Sequence, residues 1–214
     1  MTIAEVYEQY KIMPFLQLHQ LRVAAVGKLL ADNFNGSLDA RSVVLACLLH
    51  DMGNIIKFDL DIFPDSTADR GLAYWQEVKE DFIRRFGRDE HHATIAIAHE
   101  LHVPLQVMRY IEGVGFSKLD RTVRDPSYEQ KIVEYADCRV APYGVASVEE
   151  RLEDGRTRYA GRKGGADADE RFNGFKAAAF EVEKQIFERE KIRPDDISEG
   201  AVQPAVAELR HFSL

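Results

Sequence analysis

Cysteine is scarce in this sequence. Its 214 residues carry only Cys47 and Cys138, which excludes a disulfide framework. Both lie among apolar neighbours and read as buried small hydrophobes. No run approaches the roughly 18 uninterrupted apolar residues of a membrane span. The opening MTIAEVYEQYK lacks the basic-then-apolar plan of a signal peptide. A cytoplasmic protein without a membrane partner is therefore expected. Positive charge is also in deficit: 28 Lys and Arg against 36 Asp and Glu leave a formal charge of −8. That argues against a broad nucleic-acid-binding surface, which is usually basic. A small anion is still admissible, because a metal or a few Arg reverse the field in one cleft. There is no internal repeat and no low-complexity tract. The length suits one domain, or one domain with a helical extension.

What is present is helical periodicity and histidine. Ile3 to Tyr10 places Ile3, Val6, Tyr7 and Tyr10 on one stripe. Pro14 suits the first turn of a helix running to about Asp32. On that helix His19 shares a face with Phe15, Val23 and Val26 and points to the core. In the next segment, SVVLACLLHDMGNIIKF from Ser42 to Phe58, the apolar run Val43 to Leu49 reads as a buried helix, with Ser37 or Asp39 as N-cap and Gly53 as the stop. Further helices are expected over Leu72–Phe86, Asp89–His102, Leu105–Glu112 and Tyr128 to about Val140, the last capped by Ser127. Asp59 to Gly71 reads as an acidic loop, placed to form a lid or entrance. Ser117 to Pro126 reads as a basic loop. Residues 1–142 form the expected core. Residues 143–214 are expected to add a short helix within Glu149–Gly165, a long one over Asp167–Lys191 and a last one ending near Phe212. They read as a helical extension that packs on the core, with homo-oligomer formation through these helices as a further expectation.

Four ionisable groups stand out on this framework. His50 and Asp51 end an apolar run, where burial is costly unless something pairs with them. The simplest partner is a hydrogen bond at the helix end; a divalent metal is the sharper alternative. Asp137 falls on the buried stripe of Ile132, Val133, Ala136 and Val140. His19, His50-Asp51 and Asp137 thus come from three different helices, all directed inward, and one cation would satisfy all four groups.

In order and in local context, LHQLRVA, LLHDMGN and EYADCRV resemble the HD-domain superfamily of metal-dependent phosphohydrolases. The resemblance covers roughly residues 14 to 142. It implies an all-α, HD-domain-like helical bundle with a divalent transition metal (Mn, Fe, Ni, Co or Zn) held by His19, His50, Asp51 and Asp137. Some members bind a second metal through two more histidines. His92, in HHATIAIA, is similar to the first, with His91 as competitor; at the place of the second stands Glu112, in YIEGVGF. The implied activity is hydrolysis of a small phosphorylated substrate such as a nucleotide, as a phosphomonoester or phosphodiester. In that reading Asp51 orients the attacking water, and Lys57 and Arg139 receive the phosphate charge, with Lys118, Arg121 and Arg124 more distant. Tyr74, Trp75 and Phe58 are the aromatics available to stack on a base. MGNIIK lacks the paired acidic residues of the superfamily's alarmone hydrolases. The alternatives are a non-catalytic sensor or scaffold with the same fold and, third, a di-iron oxygenase of the superfamily.

Overall fold

The computed structural model describes residues 1–61, 67–159 and 168–214. Within them the chain is a bundle of helices, with one two-stranded antiparallel ribbon. Three helices form its centre. The first of these, α2 (Pro14–Asn33), follows α1 (Ile3–Gln9) and begins with its proline at the first turn. The second, α3 (Ala40–Leu49), has every residue from Val43 to Leu49 buried. Of the two N-caps the sequence offered, Asp39 takes the role: its carboxylate accepts from the Ser42 N–H at 3.0 Å, worth about 1 kcal/mol. The third is α8 (Tyr128–Asp137), capped by the Ser127 hydroxyl and buried continuously from Gln130 to Ala136. These three pack on one another. Gly27 lets α2 and α3 close up, since a Cβ there would lie 3.0 Å from the Cys47 sulfur.

Around them lie α4 (Leu72–Phe86), α5 (Glu90–Glu100), α6 (Leu105–Gly113) and α7 (Leu119–Arg124). Segment 117–126, expected as a loop, is therefore mostly ordered turn: a 3-10 turn at Phe116–Lys118 leads into α7, which buries Leu119 and Thr122. The helix bearing Asp137 also stops earlier than its apolar stripe suggests. Val140–Ala141 is a strand (β1) paired with Gly144–Val145 (β2), so Val140 is buried as a strand residue.

The remaining helices are α9 (Val148–Tyr159), α10 (Ala168–Phe187) and α11 (Glu199–Leu209). Helix α10 packs on α7 and α8, and α11 packs on α2. Their Ala179, Val182, Ile186, Val202, Val206 and Leu209 join the same apolar core as the central helices. Arg22 on α2 pairs with Glu199 on α11 at 2.7 Å. Helix α10 ends before Lys191 because the following backbone turns to bond the end of α2: the Lys191 N–H donates to the Asn33 carbonyl at 3.0 Å and the Asn35 N–H to the Arg189 carbonyl at 2.6 Å. Part of the acidic segment expected as a lid (62–66), and Gly161, Gly164 and Gly165, lie outside the described residues. Among the described residues no helix is long and apolar enough to cross a membrane.

Candidate metal centre

His19 lies on the second turn of α2, His50 caps the C-terminus of α3, Asp51 follows it, and Asp137 is the last residue of α8. The packing of these three helices brings the four side chains together. Asp137 Oδ1 is 3.2 Å from His19 Nε2 and 3.5 Å from His50 Nε2. Asp51 Oδ2 is 3.6 Å from both. Ligand atoms of His19, His50 and Asp51 all lie within 4.8 Å of one another. Atoms held about 2.1 Å from a shared cation sit roughly 3 to 3.5 Å apart, so the spacing fits a metal. The site has a floor and an opening: the His50 side chain is 1% exposed, whereas Asp137, His19 and Asp51 are 15%, 18% and 22% exposed.

His50 carries the most informative detail. Its Nδ1–H donates to the Cys47 carbonyl at 2.8 Å. The proton is thereby fixed on Nδ1, and the lone pair of neutral imidazole is left on Nε2. That Nε2 is buried and has no hydrogen-bond partner. An orphaned buried nitrogen costs stability unless it has a use, and its neighbours are two carboxylates and another imidazole. Burial lowers the proton affinity of His50, yet Asp51 and Asp137 outweigh it and raise its pKa to about 9, so in metal-free protein Nε2 holds a proton that a bound cation would displace. Burial would raise Asp51 and Asp137, but the imidazoles, joined at Asp51 by Lys57, hold both below the usual carboxylate range. The cluster is a negative, partly dry place that favours a cation. The donor set of two imidazoles and two carboxylates suits Mn, Fe, Co, Ni or Zn.

Two supporting residues carry no motif and were not singled out in the sequence. Because the His50 ring takes the Cys47 carbonyl, the Asp51 N–H lacks its partner four residues back; Gln20 Oε1 accepts it at 3.3 Å. Gln20 is fully buried and is adjacent to His19 on α2, so one helix supplies both a side chain of the cluster and the anchor for the His-Asp turn. Glu134, one turn before Asp137, is also fully buried; Oε2 accepts from the Gly115 N–H at 2.8 Å and Oε1 has no partner. Burial pushes its pKa up to about 8. Only its place on the stripe below Asp137 marks it in the sequence.

Gly53 has a different role from the helix stop expected of it. Its φ of −89° is ordinary, and α3 has already ended at His50. What requires glycine is contact with the first turn of α5: a Cβ would lie 2.2 Å from the Glu90 carbonyl oxygen and 2.8 Å from the Ala93 methyl. The Gly53 N–H also donates to Thr94 Oγ1 at 2.9 Å. This contact fixes the turn that carries Asp51.

Three other expected site residues stand elsewhere. His92 is exposed, and its Nδ1 faces the Phe86 carbonyl at 3.1 Å, so its ring bonds the end of α4 and does not join the cluster. Arg139 is buried and spent. Its Nε donates to the Ala146 carbonyl, Nη1 to the Tyr135 hydroxyl and Pro194 carbonyl, and Nη2 to the Pro194 and Ile197 carbonyls. Those bonds engage all five guanidinium protons, leaving none for a phosphate. Being two residues past Asp137, beyond the helix end, sends its side chain toward the C-terminal segment. Trp75 is a core residue whose Nε1–H bonds Asp69 at 2.9 Å. Lys57, by contrast, is exposed, and its charge acts on Asp51; the adjacent Phe58 ring lies 5.3 Å from Phe15, one turn before His19.

A search of curated proteins and a search of solved structures each found no match. The family model described as HD domain matches residues 17–140, more than half of the chain and the whole span from His19 to Asp137. With the ordered His, His-Asp and Asp gathered on three packed helices, the chain belongs to the HD domain family.

Proposed function

We propose that this protein is a metal-dependent phosphohydrolase acting on a nucleotide or another small phosphate ester. The observation that carries the reading is the buried Nε2 of His50, which makes no hydrogen bond and lies between the carboxylates of Asp51 and Asp137, facing His19. His19, His50, Asp51 and Asp137 would hold the cation. When bound, it supplies a water of lowered pKa and polarises a phosphoryl oxygen.

The chain's own groups do the rest. His50 is locked as an Nε2 donor by the Cys47 carbonyl. Asp51, the most exposed of the four, is assigned to orient water and take its proton on Oδ1, the oxygen outside the imidazole contacts. Lys57, close enough to stabilise the Asp51 carboxylate, is placed to meet phosphate charge. The Phe15–Phe58 pair beside it offers an apolar flank to the organic part of the ester.

The test is elemental analysis of the purified protein, followed by a panel of nucleotides and generic phosphate esters with each metal. The expected result is about one transition metal per chain and metal-stimulated release of phosphate or a phosphomonoester. Asp51→Ala should lose both. Wild-type protein with metal bound and no turnover on any ester would replace the enzyme reading with that of a sensor.

A further inference from the structure

Outside the His19, His50, Asp51 and Asp137 set lies a second cluster built on Lys118, linked to it through Glu134, on which Lys118, His50 and Asp137 all act. Its ammonium is 3.0 Å from His91 Nε2 and also donates to the Glu112 carbonyl. Lys118 is partly buried, and among the described residues it forms no ion pair with a carboxylate. Burial lowers its pKa and, with Lys118 as the next cause, that of His91. In the 3.0 Å contact the ammonium donates and His91 Nε2 accepts, and with one more proton on the Glu112 carbonyl a third is left over.

The holders of this ammonium lie on α5 and α6, and α5 and the turn after α6 touch the elements that build the metal centre. His91 follows Glu90, whose carbonyl abuts Gly53, and Thr94 on the same helix bonds the Gly53 N–H. The turn carrying Lys118 is fastened from α8: Glu134 accepts from Gly115, and the Lys118 N–H donates to the Gly115 carbonyl at 2.7 Å. Gly115 has a φ of +137°, which favours glycine. The charges of Lys118, Asp137 and His50 all act on Glu134. An imidazole and a carbonyl thus hold one cation in place, and Glu134, Glu112 and Asp89 act on its charge without a direct ion pair among the described residues. A fixed, incompletely neutralised ammonium is an anion receptor.

We infer that Lys118, held by His91 and the Glu112 carbonyl, is an anion-recognition residue of this site that takes a phosphoryl oxygen of the substrate. This inference rests on the phosphohydrolase reading for the substrate class, and its test uses inorganic phosphate as the probe. Phosphate binding is measured by calorimetry on metal-loaded wild type, Lys118→Gln and Lys118→Arg, with metal content measured in parallel. Lys118→Gln should weaken phosphate binding about tenfold or more, the worth of one charge-assisted hydrogen bond, with metal content unchanged. Lys118→Arg should recover part of the loss. Phosphate affinity within about twofold of wild type in Lys118→Gln, at equal metal content, overturns the inference. Should Lys118→Gln fold poorly, acetylation of wild-type lysines read by mass spectrometry decides. Phosphate should protect Lys118 several-fold and leave the exposed Lys184 unchanged; equal rates at Lys118 with and without phosphate overturn the inference. Absence of ester hydrolysis by wild type would defeat the enzyme reading alone, since both phosphate measurements stand without turnover.

Discussion

His50 Nδ1 lies 2.8 Å from the carbonyl oxygen of Cys47, one turn back on the same helix. This bond does two things. It sets the tautomer that leaves Nε2 free for a cation, and it removes the carbonyl that the Asp51 N–H would otherwise use. The helix ends there, and Gln20 receives the freed N–H.

Gln20 should therefore act as a positioning residue for the metal centre. Gln20→Leu keeps most of the volume and strands the buried Asp51 N–H. Metal affinity, measured by competition with a chelator, should fall about tenfold to a hundredfold, with stability lower by about 1–3 kcal/mol. An unchanged dissociation constant for the metal would show that α2 and α3 hold Asp51 without it.

Gly53→Ala tests the contact beneath the His-Asp turn. The added methyl meets the backbone of α5 at Glu90, which has no rotamer to escape by. A loss of about 1–3 kcal/mol is expected, read from the denaturant midpoint at constant slope. Full stability would mean that α5 moves freely against the turn.

Arg139 separates a structural cation from a functional one. Arg139→Met leaves the Ala146, Pro194 and Ile197 carbonyls without their donor and breaks the chain from Arg139 through the Tyr135 hydroxyl to Glu183. Thermal denaturation should show about 3–5 kcal/mol of destabilisation. Metal content and turnover per folded molecule should stay at wild-type levels. Lost turnover in folded, metal-loaded variant would return Arg139 to the site.

Glu134 gives a pH dependence with a definite sign. Its folded pKa, about 8, is above the ordinary 4.5. Between those values the folded state holds a proton that the unfolded state releases, so this group's contribution is full below about pH 4.5 and is lost as pH rises to about 8. Asp137, Lys118 and His50 are the charges acting on it. In metal-free protein, Glu134→Gln should gain stability relative to wild type steadily across that window, measured by urea unfolding at several pH values. A difference independent of pH would mean that Glu134 is ionised throughout.

Much of the site was legible before any coordinates, for a specific reason. His19, His50, Asp51 and Asp137 are polar groups at positions where helical periodicity demands apolar ones, and a polar residue on a buried stripe announces a partner. Arg139 was misplaced because adjacency in sequence was read as adjacency in space, and His92 because the likeness of HHATIAIA to the family's pattern does not fix which way the ring turns. His92 is one residue from His91, but helical rotation of about 100° per residue turns it toward Phe86 and out to solvent. Arg139 lies just past the end of α8, where the chain leaves the helix for β1 and the side chain turns to Pro194 and Ile197. Gln20 and Glu134 escaped notice because a buried Gln or Glu on a helix resembles any surface Gln or Glu until its neighbours are known.

The order of elements, the apolar faces of α2, α3 and α8 and the identity of the four converging polar side chains were determined by the sequence alone, since periodicity and capping are local properties. The tertiary structure alone decided that Gln20 receives the Asp51 N–H, that Gly53 is required by α5, and that Lys118 is held by His91. These depend on contacts between residues distant in the chain, and such contacts exist only once the helices have packed.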